Sequence, residues 1–226
     1  MTLHDNLRCV QDQIEQAAER SGRVSGAVTL VAVTKTQSAD IVENAFELGL
    51  RHFGESRVQE LIKKKDLLST QIHWHQIGYL QSNKAKYIAP FVHLVHSIDS
   101  LETAIELSKR AEQNARVIDV LLEVNIAAEP QKNGIAPEKT ALLLESILEQ
   151  ATALKIKGLM TVAPFEANPE HTRPYFRSLR KLHDRLQHDH PDIRELSMGM
   201  SNDFEIAIEE GATIIRIGSA LFGERI

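Results

Sequence analysis

Cysteine is almost absent from this chain. Cys9 is the only one, so no disulfide can close within it. That usage fits a reducing compartment, and a cytoplasmic location is the expectation. Long apolar runs are missing too: none approaches the ~18 residues that a membrane-spanning helix needs. Asp5, Asp12, Glu15 and Glu19 interrupt the N-terminal stretch, which excludes a secretory signal peptide there. Neither sign of charge dominates. With 26 Lys and Arg against 31 Asp and Glu, the net charge of -5 argues against nucleic acid, whose binders cluster basic residues. No low-complexity segment interrupts the chain.

What is present is a repeated alternation. Leu3, Leu7, Val10, Ile14 and Ala17 recur every three or four residues and predict an N-terminal helix, with Gly22 and Gly26 at its end. Eight short apolar runs follow, at 28–34, 52–54, 72–78, 94–98, 118–125, 156–162, 195–198 and 213–218. Amphipathic stretches lie between them at 38–48, 57–68, 101–113, 137–150, 170–188 and 203–209, with a weaker one at 83–91. Strict βα alternation means a parallel sheet with helical crossovers. The 226 residues approach the ~250 typical of a closed eight-stranded barrel. The expectation is therefore an α/β fold, a single (β/α)8 TIM-barrel domain over 1–226 with an extra N-terminal helix. No second domain is expected after the eighth strand.

In such folds the chemistry sits at the carboxyl ends of the strands. Lys35 closes the first apolar run, and a desolvated lysine there is a candidate Schiff-base former. Side chains alternate along a strand, so Val31, Val33 and Lys35 share one face and Ile214, Arg216 and Gly218 another. If the sheet closes, strands 1 and 8 are neighbours, and Lys35 and Arg216 meet at the mouth. Arg216 could equally pair with a carboxylate such as Glu55 or Asp203. The segments Ser197-Met198-Gly199-Met200-Ser201 and Gly218-Ser219-Ala220 follow strands 7 and 8, where barrels commonly bind phosphate. Glycine permits close backbone approach, and serine adds a donor. Together these residues suggest a phosphorylated ligand carrying a carbonyl, and pyridoxal 5'-phosphate (PLP) has both groups.

The stretches Val31–Lys35, Phe53–Glu55, Trp74–Lys84, Lys132–Gly134, Gly158–Thr161, Ser197–Asp203 and Arg216–Gly218 carry a specific resemblance across nearly the whole chain. They resemble the PLP homeostasis protein family, whose fold is similar to the N-terminal barrel domain of bacterial alanine racemase. The resemblance implies that PLP is held as a Schiff base on Lys35. It implies a phosphate cradle of Ser201, Gly218 and Ser219 with backbone help from Met200, and Arg216 beside the pyridine nitrogen. It also implies that His75 and Met160 line the pocket at the ends of strands 3 and 6. The chain departs from the family at Ser56, where asparagine is usual, and carries Ser219 where threonine is frequent.

Other features are weaker. His73 and His75 share a strand face, with His93 and His96 nearby, but no cysteine or acidic cluster completes a set, and no metal site is expected. Lys63, Lys64 and Lys65 read as a solvated helix face. Lys132 is either a solvated loop lysine or a second point of attachment for free PLP. Glu123 and Asn125 share a face of the fifth strand as supporting polar groups.

Three functions compete: a PLP carrier without turnover, a PLP-dependent amino-acid racemase, and a cofactor-free Schiff-base lyase. The last leaves the serine-glycine loops and Arg216 unexplained. A racemase needs a strong electron sink and two opposed bases. Arginine cannot accept a proton, and it favours an unprotonated pyridine ring. In the resembled racemases the opposing base is a tyrosine from a second domain. The sequence therefore favours a monomeric protein of intracellular PLP homeostasis, with apo PLP-dependent enzymes as its recipients.

Overall fold

Short apolar runs buried on both faces suit strands of a parallel sheet covered by helices, and in the computed structural model the eight strands close into a ring. The structure describes residues 2–24 and 26–223; Met1, Ser25 and residues 224–226, which belong to the expected 1–226 domain, lie outside the described residues. The strands are β1 (Thr29–Val33), β2 (His52–Glu55), β3 (His73–Gln76), β4 (Leu94–Ile98), β5 (Ile118–Glu123), β6 (Leu154–Met160), β7 (Glu195–Ser197) and β8 (Ile214–Ile217). All pair in parallel, in chain order, and β8 returns to β1 with Val31 opposite Arg216. Among the described residues the helices are α1 (Leu3–Arg20), α2 (Ala39–Glu47), α3 (Val58–Leu67), α4 (Ala85–Ile88), α5 (Leu101–Gln113), α6 (Thr140–Gln150), α7 (Arg173–Asp189), α8 (Phe204–Glu209) and α9 (Ser219–Phe222). The expected single-domain (β/α)8 barrel with an added N-terminal helix is the fold observed. The predicted strands run one or two residues long at several ends, mostly the carboxyl ends, where the mouth segments turn away from the ladder.

Closure divides the apolar residues into two cores. Val31, Leu94, Leu121, Met160 and Ile214 meet inside the barrel, while Leu30, Phe53, Trp74, Val95 and their like face the helices. Each large apolar side chain so buried contributes about 1.5–3 kcal/mol. The ring demands one very close approach. A Cβ on Gly158 would overlap the carbonyl oxygen of Glu195 on the neighbouring strand, so only glycine fits there. The added helix α1 is held by both ends. A capping box between Thr2 and Asp5 starts it. At its other end Arg20 bonds Glu205 and Glu209 of α8 at 2.8 and 2.7 Å. No helix is long and apolar enough to cross a membrane among the described residues.

Candidate functional site

The carboxyl ends of β1, β3 and β8 converge on a cavity of about 440 Å³. Lys35, Ser56, Met200, Ser201, Arg216, Gly218 and Ser219 all line it, as do Thr36, Gln37, Ile77 and Val162, which the sequence reading did not single out. A larger groove of about 680 Å³ lies between α5 and the α4 region, lined by Lys86, Glu102, Glu106 and Arg110. It is lined by helix residues and the turn before α4 and contains none of the expected site residues, so the mouth cavity is the candidate site.

Lys35 stands two residues past β1 and is exposed, not desolvated. Its position is nonetheless fixed from both sides. Below it, Lys64 of α3 donates to the Thr34 carbonyl and to Glu55 Oε1, both at 2.6 Å, and Thr34 Oγ1 donates to the same carboxylate at 2.7 Å. Burial pushes the Glu55 carboxyl up, while its bonds to Lys64 and Thr34 pull it down. Lys64 is therefore buried in the wall beneath the site rather than on a solvated face. Above Lys35, Thr36 adopts a left-handed backbone with φ of 70° and donates its N–H to Glu60 at 3.1 Å. That conformation costs a β-branched residue about 1–2 kcal/mol. It is spent where the chain must swing the lysine over the cavity.

Arg216 is 4 % exposed, and neither Glu55 nor Asp203 is its ion-pair partner. Glu55 is taken by Lys64, and Asp203 accepts from the Met200 N–H at 2.7 Å. Instead the guanidinium donates to Ser197 Oγ at 2.5 Å and to the Thr161 carbonyl at 2.8 Å. Burial lowers its pKa to about 10 despite the nearby Glu123 and Asp203. A guanidinium has five N–H donors, and these two bonds leave three for whatever enters the cavity. Ser201 Oγ accepts from the backbone N–H groups of Gly218 and Ala220, both at 3.2 Å. With its lone pairs occupied, it has its proton to offer a ligand oxygen. The Met200 N–H, expected to assist an anion, is already committed to Asp203.

Two residues expected to line the pocket are not among those that line the mouth cavity. Met160 is fully buried in the interior apolar cluster. His75 faces the barrel axis in a line of hydrogen bonds. Its Nδ1 lies 2.8 Å from His96 Nε2, and its Nε2 lies 2.9 Å from His52 Nδ1. His96 Nδ1 continues the line to Ser197 Oγ at 2.9 Å. Because Arg216 can only donate, Ser197 accepts from it, and the direction that finds the serine proton an acceptor runs onward to His96, His75 and His52. Burial holds His75 and His96 well below the usual imidazole range, so all three rings are neutral. The sequence reading missed this line because His52, His75 and His96 come from three different strands. Lys132 is not loose in solvent either. Its amine pairs with Glu129 at 2.6 Å beside a second cavity of about 240 Å³, which Glu123, Asn125 and Val162 also line. Glu123 is 8 % exposed with Oε2 unpartnered, and burial, aided by Asp99, raises its pKa to about 7.

The mouth thus offers an amine, a buried guanidinium and hydroxyl donors, and among the described residues that line it there is no aspartate, glutamate, histidine or tyrosine. Comparison with known proteins is consistent with that chemistry. The family model for the alanine racemase N-terminal domain matches residues 6–226. The pyridoxal phosphate homeostasis protein of Aquifex aeolicus is 46 % identical over 100 % of this chain and 99 % of its own length. That of Pseudomonas aeruginosa is 40 % identical over 99 % and 96 %. PipY of Synechococcus elongatus, solved with PLP bound, superposes with a TM-score of 0.80 at 35 % identity, covering 93 % of this chain and all of that one. Alanine racemase of Clostridium difficile shares the fold alone, with a TM-score of 0.73 at 17 % identity, and this chain spans 57 % of it. Full-length identity at these levels, on a closed barrel with this mouth, makes the chain a member of the pyridoxal phosphate homeostasis proteins, on the alanine racemase N-terminal-domain fold.

Proposed function

We propose that this chain binds PLP in the mouth cavity and serves to store and deliver the cofactor without turning over a substrate. The observation that carries the reading is Arg216, a buried cation with no carboxylate partner among the described residues, sharing one cavity with Lys35 and Ser201. The residues fit the cofactor. Lys35 would supply the amine for its aldehyde, Ser201 and Ser219 hydroxyl donors for its phosphate, and Arg216 an N–H for its ring nitrogen. When bound, PLP supplies an electrophilic carbonyl and a ring able to accept electrons. Arg216 has no proton-accepting atom and leaves the ring nitrogen unprotonated, which weakens that acceptor.

Racemisation needs a proton taken from one face of a carbon and another delivered to the opposite face. Lys35 is the one side chain lining the described cavity that could move it, so the second face has no partner. The same open mouth suits release to apo PLP-dependent enzymes. The test is to load the purified protein with PLP, mix it with an apo PLP enzyme and follow reactivation, while chiral analysis monitors alanine and other amino acids. Reactivation without racemisation is expected. Robust racemisation that vanishes in Lys35→Ala would replace the carrier with an enzyme.

A further inference from the structure

Four of the ten histidines, His52, His73, His75 and His93, gather at the amino ends of the strands, and His96 joins His75 to Ser197 farther along the barrel. His52 opens β2, His73 and His75 lie on β3, His93 precedes β4, and His96 lies within it. We propose that this closed end is a transition-metal site in which His52, His75 and His93 are the protein ligands of a zinc-type divalent cation. One ring nitrogen from each of these three residues lies within 4.8 Å of the other two. They border a cavity of about 120 Å³ at the amino ends of the strands, which Asp119 and Glu195 also line. Nothing in the proposed handling of PLP uses it.

Five features make this a site rather than a gathering of rings. Three imidazoles with room beside them for a water form a donor set that zinc accepts, and imidazole nitrogen suits zinc, copper and nickel generally. Two ligand nitrogens on one tetrahedral ion lie ~3.3 Å apart at bonds of ~2.0–2.1 Å. The 2.9 Å contact between His52 Nδ1 and His75 Nε2 needs to open only slightly to admit the ion in place of the shared proton. His75 is 1 % exposed, and its other nitrogen is fixed by His96, the kind of outer hydrogen bond that orients a metal-bound ring. The third ligand, His93, is exposed, its ring centre lies 5.3 Å from that of His75 and 5.7 Å from that of His52, and the His73 ring stacks on it at 4.5 Å. Burial also holds His52, His75 and His93 below the usual imidazole range, which keeps them in the form that binds metal. The sequence pointed to His73 and His75 on one strand face with His93 and His96 nearby, and not to His52. The structure sets His73 at the rim and brings His52 across from the neighbouring strand instead.

The test uses tag-free, chelator-treated full-length protein titrated with Co²⁺, whose visible bands report four- or five-coordination. One ion per chain with such bands is expected. His52→Ala and His93→Ala, at half-buried and exposed positions, should each weaken binding at least ~100-fold, more than the loss of an outer partner. His171→Ala, on the outer surface near α7, should not change it. X-ray absorption of the zinc-loaded wild-type protein should show three imidazoles on the ion and does not depend on any variant folding. Absence of binding, an octahedral spectrum only, fewer than three imidazoles, or wild-type affinity in both alanine variants would each overturn the proposal.

Discussion

Single residues at the mouth divide their work between binding and shape. In the proposed function Ser201 would offer a hydroxyl proton to the phosphate, a charge-assisted bond of about 1.5–3 kcal/mol. Ser201→Ala should therefore weaken PLP binding roughly 10- to 100-fold in equilibrium dialysis, and unchanged affinity would put the phosphate elsewhere. Gly218 teaches a different lesson. Its φ is -116°, open to any residue, and a Cβ there would meet Val33 at an ordinary 3.5 Å. A Cβ at 218 meets no clash, whereas a larger side chain there would enter the space proposed for the ligand. Gly218→Val should keep the thermal midpoint near wild type and still lose PLP affinity; a variant that binds normally would show that this wall is not used. Lys35→Ala should abolish the label that borohydride fixes on the PLP-loaded protein, as read by peptide mass mapping. Lys35 and Arg216 were legible because a period of two assigns strand faces without knowledge of neighbours, and Ser201 because it lies in the loop after the seventh strand, where barrels commonly bind phosphate. His75 and Met160 obey the same period, but how far along the axis they sit depends on register and stagger, which a single strand does not encode.

At the level of elements, β1 is the one whose end must be held, and α3 holds it. Removing Lys64 leaves Glu55 buried against Thr34 alone, and breaking a buried pair from one side costs about 3–5 kcal/mol. Lys64→Met should lower urea stability by that order and slow labelling of Lys35. The double variant Glu55→Met with Lys64→Met should regain much of the stability but not the labelling, since Thr34 and the chain above it stay loose. Equal labelling in wild type and both variants would remove α3 from any part in placing the lysine. The boundaries of the elements were mostly legible: Leu101–Gln113 is helical over the predicted span, and α6 and α7 begin with short 3-10 turns at Pro137 and Pro169. What hydropathy hid was Lys64. A lysine in a run of three reads as solvated surface, and only the facing carboxylate, reached through a strand pair, makes its burial affordable.

The whole molecule carries a pH dependence from its interior polar groups. Glu123 is neutral in the folded state up to about pH 7, held there by burial and Asp99 against the pull of Arg216. Its folded value lies above the unfolded one, so its contribution to stability is complete below about pH 4.5 and is lost as pH rises through about 7. The shift bounds that loss at on the order of 3 kcal/mol. In the PLP-free protein, Glu123→Gln should flatten the fall in thermal midpoint between pH 5 and 8, and an unaltered slope would mean that the carboxyl is solvated. The line from Arg216 through Ser197, His96 and His75 to His52 gives the molecule a second global property. A row of neutral rings, each with one N–H, has only two self-consistent orders, so reversing one member reverses all of them. A cation on His75 Nε2 forces its proton to Nδ1, and the reversal then travels to the hydroxyl under Arg216. Occupants of the two barrel ends consequently share a coupling free energy, and linkage makes it reciprocal: the factor by which zinc changes PLP affinity equals the factor by which PLP changes zinc affinity. A fourfold titration cycle measures that factor, and substituting Ser197 by alanine should bring it to one.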